Sequence, residues 1–164
     1  MPELKIKVKL DKNAKMPEKA HASDAGYDLF APYDFKVPTY NGLKEAWRTK
    51  SPGSGRLEVY PDIGSAVVDT GVHMQIPDGY VGMIKSKSGL NVKHGLIAEG
   101  VVDAGYSGSI VVKLYNLSST PYQFKKGDKI TQIVVMPIPQ TELVEVPELD
   151  ETERGENGFG SSGR

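Results

Sequence analysis

Cysteine is absent from the 164 residues, which excludes a disulfide framework, a thiolate nucleophile and a thiolate zinc cluster and accords with a reducing compartment. A basic excess is absent too. The 20 Lys and Arg residues stand against 21 Asp and Glu, a formal charge of -1, so no cationic stripe is available to neutralise a nucleic-acid backbone. Nucleic acid is therefore not an expected partner. No stretch approaches the roughly 18 consecutive apolar residues that a membrane-spanning helix needs, and the opening MPELKIKVKL lacks the apolar run of a secretory leader. The chain reads as soluble and cytoplasmic, with no membrane partner. Histidine is scarce: His21, His73 and His94 are scattered, without the close helical spacing of a zinc site, and read as solvated or internally satisfied side chains. Also missing is any window of ordinary helix length with apolar residues at i, i+3, i+4 and i+7. The length suits one sizeable core, hence one domain.

What the chain does contain is short β-like segments. Leu4–Leu10, LKIKVKL, alternates apolar and charged residues throughout, the pattern of a strand with one buried face. Ser65–Thr70, Gly79–Ile84, Ile110–Tyr115 and Ile130–Met136 are β-branched or aromatic and bounded by turn residues. Short helical turns are open options at Gly42–Trp47 and Gly89–His94. Many short strands separated by turns point to an all-β sandwich or barrel. Two regions break the pattern. Pro38 to Gly64, rich in Pro, Gly and Ser and holding the single tryptophan, is a long excursion between strands. It reads as a surface hairpin beside the barrel or as a protein-binding insert. From Pro147 onward the chain is acidic and then glycine-rich, too polar to form a core layer, and is expected to be a mobile arm.

Several segments hold chemistry-bearing residues. Gly100–Gly108, GVVDAGYSG, places a carboxylate between an apolar run and two glycines flanking a tyrosine; by itself this is compatible with an ordinary turn aspartate. Lys85–Leu90, KSKSGL, offers an ammonium, hydroxyls and a glycine, donors suited to phosphate oxygens, or a plain solvated loop. Gly127–Gln132, GDKITQ, brings Gln132 in among apolar neighbours, where its amide needs partners. The terminal RGENGFGSSGR is no Walker loop, since it lacks Gly-Lys-Ser/Thr spacing and a following helix.

Together and in order, Ala25–Leu29 (AGYDL), Ser86–Gly89 (SKSG), Gly100–Gly108, Gly127–Gln132 and Arg154–Gly163 resemble the five motifs of the trimeric dUTP diphosphatases, or dUTPases. The resemblance spans about Leu4 to Gly163. It implies a jelly-roll-like distorted β-barrel over 1–147, with an insert at about 38–64, and a C-terminal arm over 148–164 that carries the glycine-rich lid. It further implies hydrolysis of dUTP to dUMP and pyrophosphate with Mg²⁺, in a homotrimer whose active sites are shared between subunits.

Under that resemblance Asp103 is the candidate base that orients and deprotonates water for attack at the α-phosphorus, and it also holds the deoxyribose 3′-OH. Tyr106 would lie against the sugar and exclude a ribose 2′-OH. The backbone of Gly100, Val101 and Val102, with Val111, would read the uracil edge. Ser88 would bond the phosphate chain near the scissile bridge, with Lys87 and Gly89 adding charge and a backbone donor. Gln132 would bind the α-phosphate or the attacking water, and Asp28 would meet the metal through a coordinated water. In the arm, Phe159 would stack on uracil, Arg154 would reach the γ-phosphate, and Gly160, Ser161 and Ser162 would wrap the phosphates.

Two positions depart from the common pattern: Lys87 and Lys129 stand where arginine is usual, so the phosphate contacts and supporting ion pairs are expected to differ. The related dCTP deaminases place a catalytic glutamate five residues past the turn's last glycine. Here that position is Lys113, which removes the acid–base group. A non-catalytic, protein-binding use of the same barrel is the remaining alternative. Inserts such as 38–64 occur in phage-encoded members.

Overall fold

The computed structural model of the protein describes residues 4–40, 63–153 and 155 in full and the backbone of 43–49 and 55–61. Among these residues it is an all-β molecule with one short helix. The strands are β1 (Lys7–Leu10), β2 (Gly26–Phe30), β3 (Phe35–Val37), β4 (Leu43–Thr49), β5 (Gly55–Pro61), β6 (Gly64–Asp69), β7 (Val72–Gln75) and β8 (Tyr80–Lys85). The helix α1 (Ser88–His94) follows, then β9 (Leu96–Ile97), β10 (Glu99–Val102), β11 (Val111–Asn116), β12 (Tyr122–Phe124) and β13 (Lys129–Pro137).

Pairing is antiparallel throughout. The central sheet has the order β10-β8-β13-β2, a second has the order β6-β11-β9, and β1-β7, β12-β3 and β4-β5 are two-stranded. Inward-facing residues from these sheets meet in one core that includes Leu29, Val68, Leu114, Phe124 and Ile133, each at most 1% exposed. Truncating one such leucine to alanine typically costs about 2–5 kcal/mol, because the cavity left behind relaxes only partly. The buried polar side chain of Asn116 is matched: it donates to the carbonyls of Val37 and Thr120 and accepts from the backbone N–H and hydroxyl of Ser118. That tie fixes the turn between β11 and β12 against β3.

The expected strands at 65–70, 79–84, 110–115 and 130–136 appear within one residue of those bounds. At the N-terminus the alternation is realised only from Lys7 onward. Ile6 and Val8 pack against the core, whereas Leu4 and Leu10 remain exposed. The helical option at Gly89–His94 is α1. The one at Gly42–Trp47 is not realised in its described residues, since Leu43–Thr49 is a strand paired along its length with Gly55–Pro61. Within the excursion at 38–64, Leu43–Thr49 and Gly55–Pro61 form an antiparallel two-stranded sheet that joins no other strand among the described residues. Beyond β13, residues 138–153 form neither strand nor helix and are exposed.

Candidate active site

Strand β8 organises the candidate residues. At the Lys85 end, register places Glu99, Lys85, Gln132 and Asp28 directly opposite one another across β10, β8, β13 and β2. Directly opposed residues share a face of a sheet, so the four form one polar row. The next row, Gly100, Ile84, Ile133 and Tyr27, turns Ile84 and Ile133 into the core.

A β-bulge adds a fifth group. Lys129 opposes Phe30 and Thr131 opposes Leu29, so Ile130 is an extra residue between them. In a regular strand Lys129, three positions before Gln132, would point to the opposite face. The inserted residue restores it to the face of Asp28. Its Nζ lies 2.6 Å from one carboxylate oxygen of Asp28, and Lys87 Nζ engages the other.

Asp28 is 4% exposed. Burial disfavours its charged form, but hydrogen bonds and charge from Lys129 and Lys87 outweigh that and hold its pKa below the ordinary 3.8. The same contact raises the pKa of Lys129. One carboxylate between two ammonium groups leaves a net positive cluster, suited to anionic oxygens.

The chain leading out of this row is fixed by side-chain to backbone bonds. Thr131 donates to the Lys85 carbonyl at 2.7 Å and Gln132 Nε2 to the Ser86 carbonyl at 3.0 Å. Ser86 Oγ bridges both the N–H and the carbonyl of Ala98. Gly26 leaves room beside this network: a Cβ there would overlap the Gln132 side-chain oxygen and displace that amide. Ser88 and Gly89, exposed at the start of α1, follow directly.

Mg²⁺ can be tested against this donor set. Among the described residues no cluster of three or more His, Cys, Asp or Glu side chains could chelate a metal. Asp28 has each oxygen committed to an ammonium group, so direct coordination does not suit it. A carboxylate has about four lone-pair sites, which leaves room to accept a hydrogen bond from a metal-bound water. The residues fit an outer-sphere contact and no more.

The outer edge of β10, which runs beside β8 from Lys85 to Gly82, is different in kind. Among the described residues β10 pairs only with β8, and at Val111 the strand β11 pairs only with β6. Each strand therefore presents a free backbone edge there. Between them lies a slot of about 200 Å³ lined by Ile84, Gly100, Val101, Val102, Asp103, Tyr106, Ser109, Ile110 and Val111. Asp103 is exposed at its mouth and its carboxylate bonds to no described residue. Tyr106 closes the turn after it: the phenol donates to the Ser109 carbonyl at 2.9 Å, and the Tyr106 N–H donates to the Asp103 carbonyl at 3.3 Å. The ring lies over Gly108, where a Cβ would strike the phenol.

Gly100, Val101, Val102, Asp103, Tyr106 and Val111 thus come together, as do Asp28, Lys87 and Gln132, with Ser88 and Gly89 adjoining. The slot begins in the row next to Lys85, at Ile84 and Gly100, whereas Asp103 stands away from that row. Val102 opposes Gly82, so Asp103 stands level with Val81, and four residues at about 3.3 Å each put Lys85 about 13 Å further along the strand. Arg154, Phe159, Gly160, Ser161 and Ser162 lie outside the described residues. Sequence reasoning missed the Glu99–Lys85 pair, at 2.8 Å, and the capture of Lys129 by Asp28. Each depends on strand register, to which sequence spacing gives no direct access.

The family model for dUTPase matches residues 54–163. The deoxyuridine 5′-triphosphate nucleotidohydrolase of Mus musculus is 35% identical over 158 residues, covering 96% of this chain and 83% of that protein. That of Corynebacterium efficiens is 39% identical over 161 residues, covering 96% and 76%. A point mutant of the Staphylococcus bacteriophage 80alpha dUTPase, solved with dUpNHpp, superposes with a TM-score of 0.77 at 31% identity over 98% of this chain and 99% of that one. The dUTPase of phage phi11 of S. aureus, as a mutant described with a structural Mg(II) ion, gives 0.69 at 29% identity over 90% and 100%. With its fold, its motif order and its relatives in agreement, the chain belongs to the dUTPase family of nucleotide hydrolases.

Proposed function

We propose that the protein hydrolyses dUTP to dUMP and pyrophosphate by attack of water at the α-phosphorus, keeping uracil out of DNA and supplying dUMP for thymidylate synthesis. The observation that carries this reading is the slot between two unpaired strand edges with Asp103 at its mouth. Backbone donors and acceptors fixed in β10 and β11 can bond the edge of a planar base, and a base seated against Val101, Val102 and Val111 would bring thymine's methyl against that wall. Tyr106 stands where a sugar would lie and selects against a 2′-hydroxyl. Asp103, exposed and without a partner among the described residues, holds the 3′-hydroxyl and accepts the proton of the attacking water.

The Lys87–Asp28–Lys129 cluster and its neighbours supply the phosphate end. Lys87 keeps N–H donors beyond the one given to Asp28, Ser88 adds a hydroxyl and Gly89 a backbone N–H, and Gln132 orients the α-phosphate or the water. When bound, Mg²⁺ offsets charge on the pyrophosphate leaving group; Asp28 would hold it through a metal-bound water.

Since Asp103 stands about 13 Å from the Lys85 row along β8 in one chain, the working site takes Asp103 from one subunit and Ser88 and Gln132 from another, in a homotrimer. The C-terminal segment supports this reading: Leu143, Val144 and Leu149 are 97%, 71% and 88% exposed, apolar surface suited to cover by a second copy. We assign 1–147 to the barrel and 148–164 to an arm that closes over a neighbouring site, with Phe159 on uracil and Arg154, Gly160, Ser161 and Ser162 on the phosphates. Among the described residues the β4–β5 pair joins no other sheet, and we assign it as the segment that would contact a protein partner. The test is pyrophosphate release from a panel of dUTP, dTTP, dCTP and UTP with Mg²⁺. Turnover confined to dUTP is expected; no dUTP turnover, or ammonia from dCTP, would refute the reading.

A further inference from the structure

His73 on β7 has both ring nitrogens facing acceptors. Nε2 lies 3.0 Å from Asp11 Oδ2, and Nδ1 lies 2.9 Å from the Ser107 carbonyl oxygen. A carboxylate and a carbonyl only accept, so both contacts are satisfied only by the doubly protonated imidazolium. Asp11 is itself anchored, its N–H donating to the Gly71 carbonyl at 2.8 Å. The Ser107 end belongs to the turn that carries Asp103 and Tyr106. Two other ties hold that turn: Ser109 Oγ donates to Asp69, whose pKa is lowered by that bond and by the Gly71 N–H, and Tyr106 donates to the Ser109 carbonyl. Ser107, by contrast, has His73 as its link to the β1–β7 ribbon.

We propose that His73 is a positioning residue for the hydrolytic reaction: held by Asp11 in its charged form, it clamps the Ser107 carbonyl and so fixes the Asp103–Ser109 turn in the geometry that presents Asp103 and Tyr106 to the nucleotide. This rests on the reading of that turn as the sugar and base site. The charged groups around the ring are Asp11 beyond the end of β1, Lys9 directly opposite on β1, Lys7 along the same groove and Asp69 on β6. The hydrogen bond to Asp11 and then that to Ser107 raise the pKa of His73 above its ordinary 6.5, against slight desolvation and the charge of Lys9. A folded value above the unfolded one means that the clamp is complete below about pH 6.5 and is lost as pH rises through the folded value. On losing a proton the ring keeps one N–H. The carboxylate is the stronger acceptor, so that N–H stays with Asp11 and the Ser107 carbonyl is released.

The full-length protein would be assayed for dUTP kcat and KM from about pH 5.5 to 9, as wild type, His73→Phe and Asp11→Asn. In parallel, NMR would follow the His73 ring nitrogens and the amides of 103–109. His73→Phe keeps an aromatic ring of similar size without an N–H, and kcat is expected to fall about tenfold below the folded pKa, with the deficit closing at alkaline pH. Asp11→Asn supplies an amide donor to Nε2 of the neutral ring, which leaves Nδ1–H for Ser107. The ratio of its kcat to that of wild type should therefore rise with pH. The turn amides should titrate with the ring. A constant ratio across pH, an unchanged kcat in His73→Phe at low pH, or a ring that titrates without moving the turn would overturn the proposal. If wild type turned over no dUTP, the nucleotide reading would fall instead, and the clamp would be decided by whether the turn amides follow the ring.

Discussion

The polar row at Lys85 and the slot between β10 and β11 solve opposite problems. At the first, Asp28, Lys87, Lys129, Lys85, Glu99, Gln132 and Ser86 are bonded to one another or to backbone within the chain. At the second, the edges of β10 and β11 lie open and the Asp103 carboxylate has no partner among the described residues. A matched network holds its geometry whether or not a ligand is present. An unmatched carboxylate beside unpaired edges is disposed to bind and to react. Under the proposed assignment, the phosphate end is built in advance, while the base and sugar end is completed by what enters it.

Breaking the open end should have the larger effect. Asp103→Asn keeps shape but removes the proton acceptor, and turnover of dUTP should drop by about 10²–10⁴ while dUpNHpp binds with nearly wild-type affinity in calorimetry. If binding vanished in a folded protein, Asp103 would be structural. Gly108→Ala comes next. The added methyl must push the Tyr106 ring aside, and KM is expected to rise about tenfold with kcat altered much less, as for loss of uniform binding. A wild-type KM would show that the ring is not a wall of the site.

The matched end should respond more weakly, and through stability. Because the folded pKa of Asp28 lies below 3.8, its stabilisation is full above that value and disappears as pH falls through the lower folded one. Thermal midpoints measured from about pH 7 down to pH 3 should therefore fall steeply only in the acid range, and Asp28→Asn should flatten that fall. A variant that kept the wild-type acid limb would mean that the Lys87–Asp28–Lys129 cluster carries no linkage.

Much of this was legible in the sequence, and the omissions have physical causes. Strands with one buried face, such as Val111–Asn116, announce themselves by alternation. Gly26–Phe30 does not, because Asp28 is buried among apolar neighbours and only Tyr27 lies partly outside. Its ordered motif was visible where its strand was not. Three-residue β3 and β12 are too short to show a period. In the insert, the helix-favouring Lys44, Glu45 and Ala46 suggested a turn of helix, but pairing with Gly55–Pro61 overrides that local preference. The motif residues assigned to both clusters were chosen from their order along the chain. The separation of Asp103 from the Lys85 row along β8, the bulge that turns Lys129 onto Asp28 and the Asp11–His73–Ser107 contact depend on register or on residues far apart in sequence.

The central claim, that a working site joins Asp103 of one subunit to Ser88 of another, is tested most directly by complementation. Asp103→Asn and Ser88→Ala chains, each inactive alone, would be mixed in equal amounts, unfolded and refolded together, and assayed for pyrophosphate release from dUTP. Sites shared between chains predict recovery to roughly a quarter of wild-type activity, since each site draws its two residues from different subunits. A mixture as inactive as its components would contradict the account.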